Sequence, residues 1–381
     1  MKLLVFNRDH PNLETEKAKV LRELWIKRIS KEIPIAIYST NPSVNSFERI
    51  KNSTVISRAN TDQCNIYTGE FNLSEVYNLS NSSLYVSHMN PFSFNKVCEL
   101  SKKNELFWGA YLDLNFEDLP DYLFDRLKTA RIIIPQSKWA KDLLRKLPNA
   151  TDHVYLGVNS EIYLPCGDSK EEIRKKFKNN LVTGNEFLIT IIQENSSDSF
   201  IDQLKGIKRF VENNPDINTK VYIHTDPLGY TDIINLVRLL NLQDICIFSN
   251  PEKYRNNKYT EKDLSMIYNL SDVHLNTTPE SFPTSALEAA ACNVPSVYLN
   301  WGSSKEIMAP KLPNLGVKVK EFLLTPKIIK KPIADPDDIA KKLEIAASMK
   351  IKTNHLANYA KEFSWEKTAR KITNILTELS K

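Results

Sequence analysis

The strongest constraint on this chain is a rhythm. Short apolar or alternating runs recur at 2–7, 34–40, 54–58, 83–88, 105–111, 131–136 and 153–158, with helical stretches between them. Strands alternating with helices in this way predict a parallel sheet covered on both faces. A second set at 187–192, 220–224, 245–249, 273–277 and 295–299 predicts a second doubly wound sheet. With 381 residues, 41% of them hydrophobic, the chain is long enough for two full cores. Between the sets, "NSEIYLPCGDSKEEIRKKFKNN" (159–180) opens on Pro and Gly punctuation and becomes a charged helix. The expected domains are therefore 1–165 and 166–355. In the tail, 356–381, Trp365, Ala369, Ile372 and Ile375 recur at helical spacing and predict an amphipathic helix.

Composition removes several function classes. The five cysteines are odd in number, spread out and without C-x-x-C spacing, which argues against a disulfide framework and a zinc site and for a reducing cytoplasm. Lys plus Arg exceed Asp plus Glu by 51 to 46 with no long basic run, so nucleic acid is not an expected partner. That mild basicity suits a phosphate-bearing small ligand or an anionic surface. The four-residue apolar run before Asn7 and Arg8 is too short for a signal core, and no run approaches membrane-spanning length. Only nine glycines occur, with no G-x-G-x-x-G and no G-x-x-x-x-G-K, so any phosphate must be held without a glycine-rich loop.

In open α/β sheets ligands bind beyond the carboxyl ends of the strands. In the second set those ends are 193–195, 225–226, 250–251, 278–280 and 301–302. Glu280 leaves one of them, and Pro283 with Ser281 or Thr284 supplies helix-start chemistry just after it. The N–H groups of such a helix start stabilise an exposed anion by about 0.3 to 1 kcal/mol. Glu288, one to two turns on, can accept hydrogen bonds from vicinal hydroxyls of a ribose or hexose. From this pair alone, a turn acid and a helix-start acid remain an open alternative.

The segment "LSMIYNLSDVHLNTTPESFPTSALEAAACNVPSV" resembles the signature of retaining family 4 glycosyltransferases of the GT-B fold, with Glu280 and Glu288 matching its E-x7-E motif. Further stretches resemble the same family in the same order. They are "PQSKWAKDLLRK" with "VYLGVNSEIYLP", "FLITII…QLKGIKRFVENNP", "KVYIHTDP" and "FSWEKTARKI". The resemblance runs from about Gln136 to the end. It implies an α/β GT-B architecture of two Rossmann-like domains facing across a cleft, an N-terminal one for the acceptor and a C-terminal one for the nucleotide sugar. The terminal helix is expected to cross back to the first domain.

The resemblance further implies transfer of a hexose-type sugar from a nucleotide-diphosphate donor to an acceptor hydroxyl, with retention. The acceptor would be a glycan, a lipid-linked molecule or a protein. Glu280 would hold the donor sugar, Glu288 the ribose, and Lys205 the leaving diphosphate, whose developing charge needs a cation and backbone donors. Ser281, Phe282, Pro283 and Thr284 would line the donor. No metal is expected, because the nearest D-x-D-like stretch, "DPDD" (335–338), reads as a helix N-cap.

The chain departs from the family pattern at definite places. Gln193 and Glu194 stand at the strand end where the family carries an Arg nearby, and Arg209, four residues after Lys205, is the candidate substitute. The glycines of the family's E-G-F-G are Ser281 and Pro283. The histidine expected after the strand ending at Tyr111 is absent, leaving Tyr111 and Asp113. Asp113 can orient an acceptor or sit in a turn; His88 and His10 are further acceptor-side candidates, each with a packing or turn role as its alternative. Cys292 reads as a buried small hydrophobe. The helix over 14–29 carries Ala18, Leu21, Trp25 and Ile29 on one stripe and reads as the first cover helix, with peripheral membrane contact through its basic face as a second role. A nucleotide-sugar epimerase and a sugar-nucleotide-binding partner protein are the alternative functions.

Overall fold

In the computed structural model, which describes residues 1–7, 9–39, 46–57, 73–87, 92, 94–167, 170–176, 182 and 184–380, the chain forms two compact units. One comprises Met1–Gly157 with Trp365–Lys381, and the other Val158–Ser364.

The first unit is built on seven strands: β1 (Leu3–Asn7), β2 (Ile35–Ser39), β3 (Ser46–Ile50), β4 (Ser53–Ser57), β5 (Leu84–Ser87), β6 (Trp108–Leu112) and β7 (Ile132–Pro135). Their order is β3-β4-β2-β1-β5-β6-β7, parallel except for β3, which pairs antiparallel with β4. β1, β2, β5, β6 and β7 are buried along their whole length, which is why they read as unbroken apolar runs. β3 escapes sequence reading because its hairpin turn has no glycine; Lys51 takes the left-handed conformation instead, at φ 53°. The expected strand at 153–158 does not form. That segment meets β7 through single bonds such as Val154 N–H to Pro135 O, and Tyr111 donates to Val154 O at 2.8 Å.

The expected helix over 14–29 is broken into an α-turn (Glu16–Val20), a π-helical turn (Leu21–Ile26) and a 3-10 turn (Ile29–Lys31). The wider turn carries Glu23 inward, where its buried carboxylate meets Arg28 at 3.0 Å and Lys27. Ala18, Leu21, Trp25 and Ile29 are all buried, so this apolar stripe is used up inside the unit and none of it faces lipid. The Trp365–Leu379 helix belongs to the same unit. It buries Trp365, Ala369, Ile372 and Leu376, a strict helical repeat in which Leu376 takes the place expected of Ile375. Thr368 donates to Tyr155 O at 2.8 Å and fixes its register.

The second unit holds β8 (Phe187–Ile192), β9 (Thr219–His224), β10 (Cys246–Phe248), β11 (Val273–Asn276), β12 (Ser296–Leu299) and β13 (Gly316–Val317), all parallel, in the order β10-β9-β8-β11-β12-β13. This is the doubly wound order that reverses between its first and fourth strands, here β8 and β11. β13 is only two residues long and has no apolar run to announce it. Beyond it β14 (Val319–Leu324) and β15 (Lys330–Ala334) form a separate antiparallel hairpin.

The Ser199–Asn213 helix covers this sheet with Phe200, Leu204, Ile207 and Phe210 buried, and the Pro336–Ser348 helix packs on it at Gly206. A Cβ at Gly206 would stand 2.4 Å from Ile339 Cγ2 and 3.2 Å from Pro336 O. Gly206→Ala is therefore expected to cost about 1–3 kcal/mol by pushing the helices apart, measured as a lower midpoint in urea unfolding.

Candidate active site

The reversal point between β8 and β11 is where an open α/β sheet parts its two sets of crossovers, and both flanking strand ends carry polar residues. Gln193 follows β8; Thr277 to Glu280 follow β11. Gln193 Oε1 accepts from Thr278 Oγ1 at 2.9 Å and from Gln203 Nε2 at 3.0 Å, which ties the two strand ends to the Ser199–Asn213 helix. Four buried polar atoms at this edge, Gln193 Nε2, Gln203 Oε1, Thr277 Oγ1 and Thr284 Oγ1, have no hydrogen-bond partner among the described residues. Buried polar atoms are nearly always paired, so these atoms at the strand ends are open to a ligand's polar groups or to water.

Glu280 is positioned by a directional relay that starts in the core. His274, on β11, is fully buried, and burial pushes its imidazole down to about 4, so it is neutral near pH 7. Its Nδ1 lies 3.1 Å from Thr190 O, which can only accept; Nδ1 therefore carries the proton, and Nε2 accepts from Ser285 Oγ at 3.1 Å. Ser285 Oγ in turn accepts from Asn276 Nδ2 at 2.8 Å, and the same amide donates to Glu280 Oε1 at 3.0 Å. Asn276 Oδ1 accepts from Thr278 N–H at 2.9 Å, which settles which way the amide points. The Glu280 backbone is held as well: Ser303 donates to its carbonyl at 2.6 Å. The carboxylate is thus oriented by Asn276 and its backbone held by Ser303, while the residue remains half-buried rather than sealed in.

Glu288 sits deeper, on the Thr284–Ala291 helix, and is buried. Tyr268 donates to its Oε2 over 3.4 Å, and the Tyr268 ring stands edge-on to His274 with centroids 5.5 Å apart. Burial, reinforced by the Glu288 carboxylate, pushes the phenols of Tyr268 and Tyr163 well above their usual range, so both stay protonated donors.

Neither Ser281 nor Thr284 caps this helix. Pro283 has φ −83° and ψ 67° and centres an inverse γ-turn closed by Thr284 N–H to Phe282 O at 2.9 Å. The turn replaces the expected side-chain cap and leaves the helix start uncapped by any side chain. Phe282 is a core residue packed edge-on against Phe363, and Ser281 and Pro283 are also buried.

Lys205 lies exposed on the Ser199–Asn213 helix. It neighbours Asp202, whose carboxyl burial pushes up to about 6 against the pull of Lys205 and Lys320. Gln203 of the same helix reaches the strand end through its bond to Gln193. Arg209 is turned the other way, pairing with Asp337 at 2.7 Å. Asp335 of "DPDD" caps the Pro336–Ser348 helix by accepting from Asp337 N–H, as its sequence predicts.

In the first unit, Asp113 is half-buried just past β6, and Tyr111 is a fully buried core tie to Val154. His10 accepts from Asn12 N–H at 3.2 Å within a turn. His88 lies outside the described residues. The thiol of Cys292 is buried, which pushes it up to about 12, in keeping with a packing role.

Sequence reading missed His274, Asn276, Gln203, Ser285 and Ser303. The available signals were polar residues at alternate positions of the apolar β11, "VHLN", and a glutamine in the apolar stripe Phe200, Leu204, Ile207, Phe210. Ser285 and Ser303 left no signal, since serines at helix starts are common.

No protein-family model matches the chain, and no curated protein sequence matches it. Solved structures do. A glycosyltransferase from Rickettsia africae ESF-5 is 14% identical over 100% of this chain and 98% of its own, with a TM-score of 0.68. The E. coli trehalose-6-phosphate protein bound with UDP-2-fluoro glucose is 13% identical over 100% and 99%, with a TM-score of 0.71. Anabaena HepE in complex with UDP-glucose is 11% identical over 99% and 100%, with a TM-score of 0.67. The chain therefore has the fold of the GT-B glycosyltransferases, two Rossmann-like α/β units.

Proposed function

We propose that this chain is a nucleotide-sugar-dependent glycosyltransferase that moves a hexose-type sugar to an acceptor hydroxyl with retention and without a metal. The observation that carries the reading is the group of buried, unpartnered polar atoms at the β8/β11 reversal point, beside the oriented carboxylate of Glu280. UDP-sugars occupy two of the structures with the same fold, which supports a nucleotide sugar as donor.

In this reading Glu280 accepts from hydroxyls of the donor sugar, and Glu288, with Tyr268, takes the ribose. Gln193 Nε2 donates to donor oxygens. The uncapped start of the Thr284–Ala291 helix and the Lys205 ammonium meet the charge that develops on the leaving diphosphate. The charge is thus met by protein groups alone, and Asp335 is already committed to its capping bond. In the retaining step the bond from the anomeric carbon to the diphosphate oxygen breaks. A new bond to the acceptor oxygen forms on the same face, and the acceptor proton passes to the departing phosphate. The acceptor is a glycan, a lipid-linked molecule or a protein. The chemistry belongs to the cytoplasm, where nucleotide sugars are made.

A thermal-shift panel of nucleotide sugars tests the donor. A ligand at ~100 times its dissociation constant adds about 2.7 kcal/mol to the bound fold, and one base and sugar should stand out. A panel with no shift would overturn the donor reading. Product analysis with the bound sugar then separates transfer from epimerisation with nucleotide release.

A further inference from the structure

The β14–β15 hairpin exposes Phe322 (42%), Leu323 (49%), Leu324 (62%) and Ile328 (68%) at one end. Alternation along β14 puts Leu323 on one face and Phe322 with Leu324 on the other, and the cross-strand register places them opposite Lys331, Pro332 and Lys330. At the turn, Ile328 holds φ 56°, a conformation β-branched residues rarely adopt, with its side chain outward. Between positions 318 and 331 the sequence carries five lysines against one glutamate.

We propose that this hairpin is a membrane-surface anchor that inserts its apolar tip into an anionic lipid leaflet. The exposed apolar side chains lie on both faces and at the turn, with Ile329 buried beneath the turn as its footing, so the tip offers no single flat apolar face to a protein partner and suits insertion into a fluid lipid surface. The lysines select the leaflet, since each basic residue near an anionic surface adds about 1 kcal/mol and a long lysine stem lets its ammonium stay at headgroup level. Lysines along an exposed edge also work against strand pairing with a second copy.

The hairpin leaves the chain just past the carboxyl end of β13, the same edge of the sheet that carries Gln193 and Glu280. Insertion would bring that edge to the bilayer, where lipid-linked acceptors present their hydroxyls. The inference itself does not depend on the donor reading, because binding is read without nucleotide.

The test is co-sedimentation of the full chain with sucrose-loaded vesicles of phosphatidylcholine, with and without phosphatidylglycerol. The native chain is expected to bind the phosphatidylglycerol vesicles, less so as salt rises. Leu323→Ser and Leu324→Ser are each expected to lower partition about tenfold. Independently, Leu324→Trp should shift its emission to the blue on vesicle addition and be quenched by brominated acyl chains. No binding by the native chain, unchanged partition of the serine variants, or an unmoved tryptophan would overturn the anchor. So would a dimer in light scattering that the serine substitutions split, since a second copy would then be what covers the tip.

Discussion

Glu280→Gln is expected to slow sugar transfer about a hundredfold or more while the second unit stays folded. The substitution keeps the size of the side chain and leaves an oxygen for the Asn276 amide, so the relay from His274 can persist; what disappears is the charge. If Glu280 orients donor hydroxyls as the sugar loses its leaving group, the loss falls on kcat and on kcat/KM together, because the interaction strengthens in the transition state. Ser285→Ala is the companion experiment. It cuts the relay between His274 and Asn276 without touching the carboxylate, and the expected result is a fall of about tenfold in kcat with the donor KM little changed. Steady-state assays in EDTA serve both variants and test the metal-free reading at the same time, since transfer should persist. Unchanged turnover in Glu280→Gln would remove this residue from the reaction, and EDTA-sensitive transfer would return a metal to it.

The second large effect is on stability in acid. His274 and His224 are both buried and both pushed down to about 4 by burial, against an ordinary value of 6.5. The unfolded chain therefore binds protons that the folded unit refuses. The stability that follows is fully present above about pH 6.5 and is lost as pH falls toward 4, by roughly 3 kcal/mol per histidine. Asp202, raised to about 6 by burial, works in the opposite direction over part of the same window, but its partial exposure weakens it. The carboxylates held low by partners, such as Asp226 beside Arg255, act only below about pH 4. Urea unfolding from about pH 7 to about pH 4.5 should show the loss, and His274→Gln should show a shallower slope. A variant with the native slope would mean that His274 is not excluded from protonation, and the neutral tautomer on which the relay rests would fall with it.

The alternation of apolar runs with helices reached most of both sheets, because a strand buried on both faces must be apolar along its length. It failed where burial is partial or the element short: β3 with its glycine-free turn, the two-residue β13, and the exposed β14. It also read one helix where the chain makes three turns of different pitch, since the stripe Ala18, Leu21, Trp25, Ile29 is compatible with either. At the site, sequence placed Gln193, Glu280 and Glu288 at the carboxyl edge of the second sheet, because strand ends and helix starts are local properties. It placed Lys205 and Arg209 on one helical face but not what that face meets: Gly206 admits the Pro336–Ser348 helix, and Asp337 takes Arg209.

What the sequence determined by itself is thus the two doubly wound units and the residues at their strand ends, through periodicity and turn chemistry that depend only on neighbours in the chain. The tertiary structure decided which of those residues are held, by what, and in which protonation state. His274 becomes neutral only because the core closes over it, and the Glu280 carboxylate is aimed only because Asn276 reaches it from β11 while Ser303, from the Gly302–Met308 helix, holds the Glu280 backbone carbonyl. The apolar tip of β14 stays exposed because no other described element reaches over it. Burial and hydrogen-bond geometry are properties of packed surfaces, and no spacing along the chain carries them.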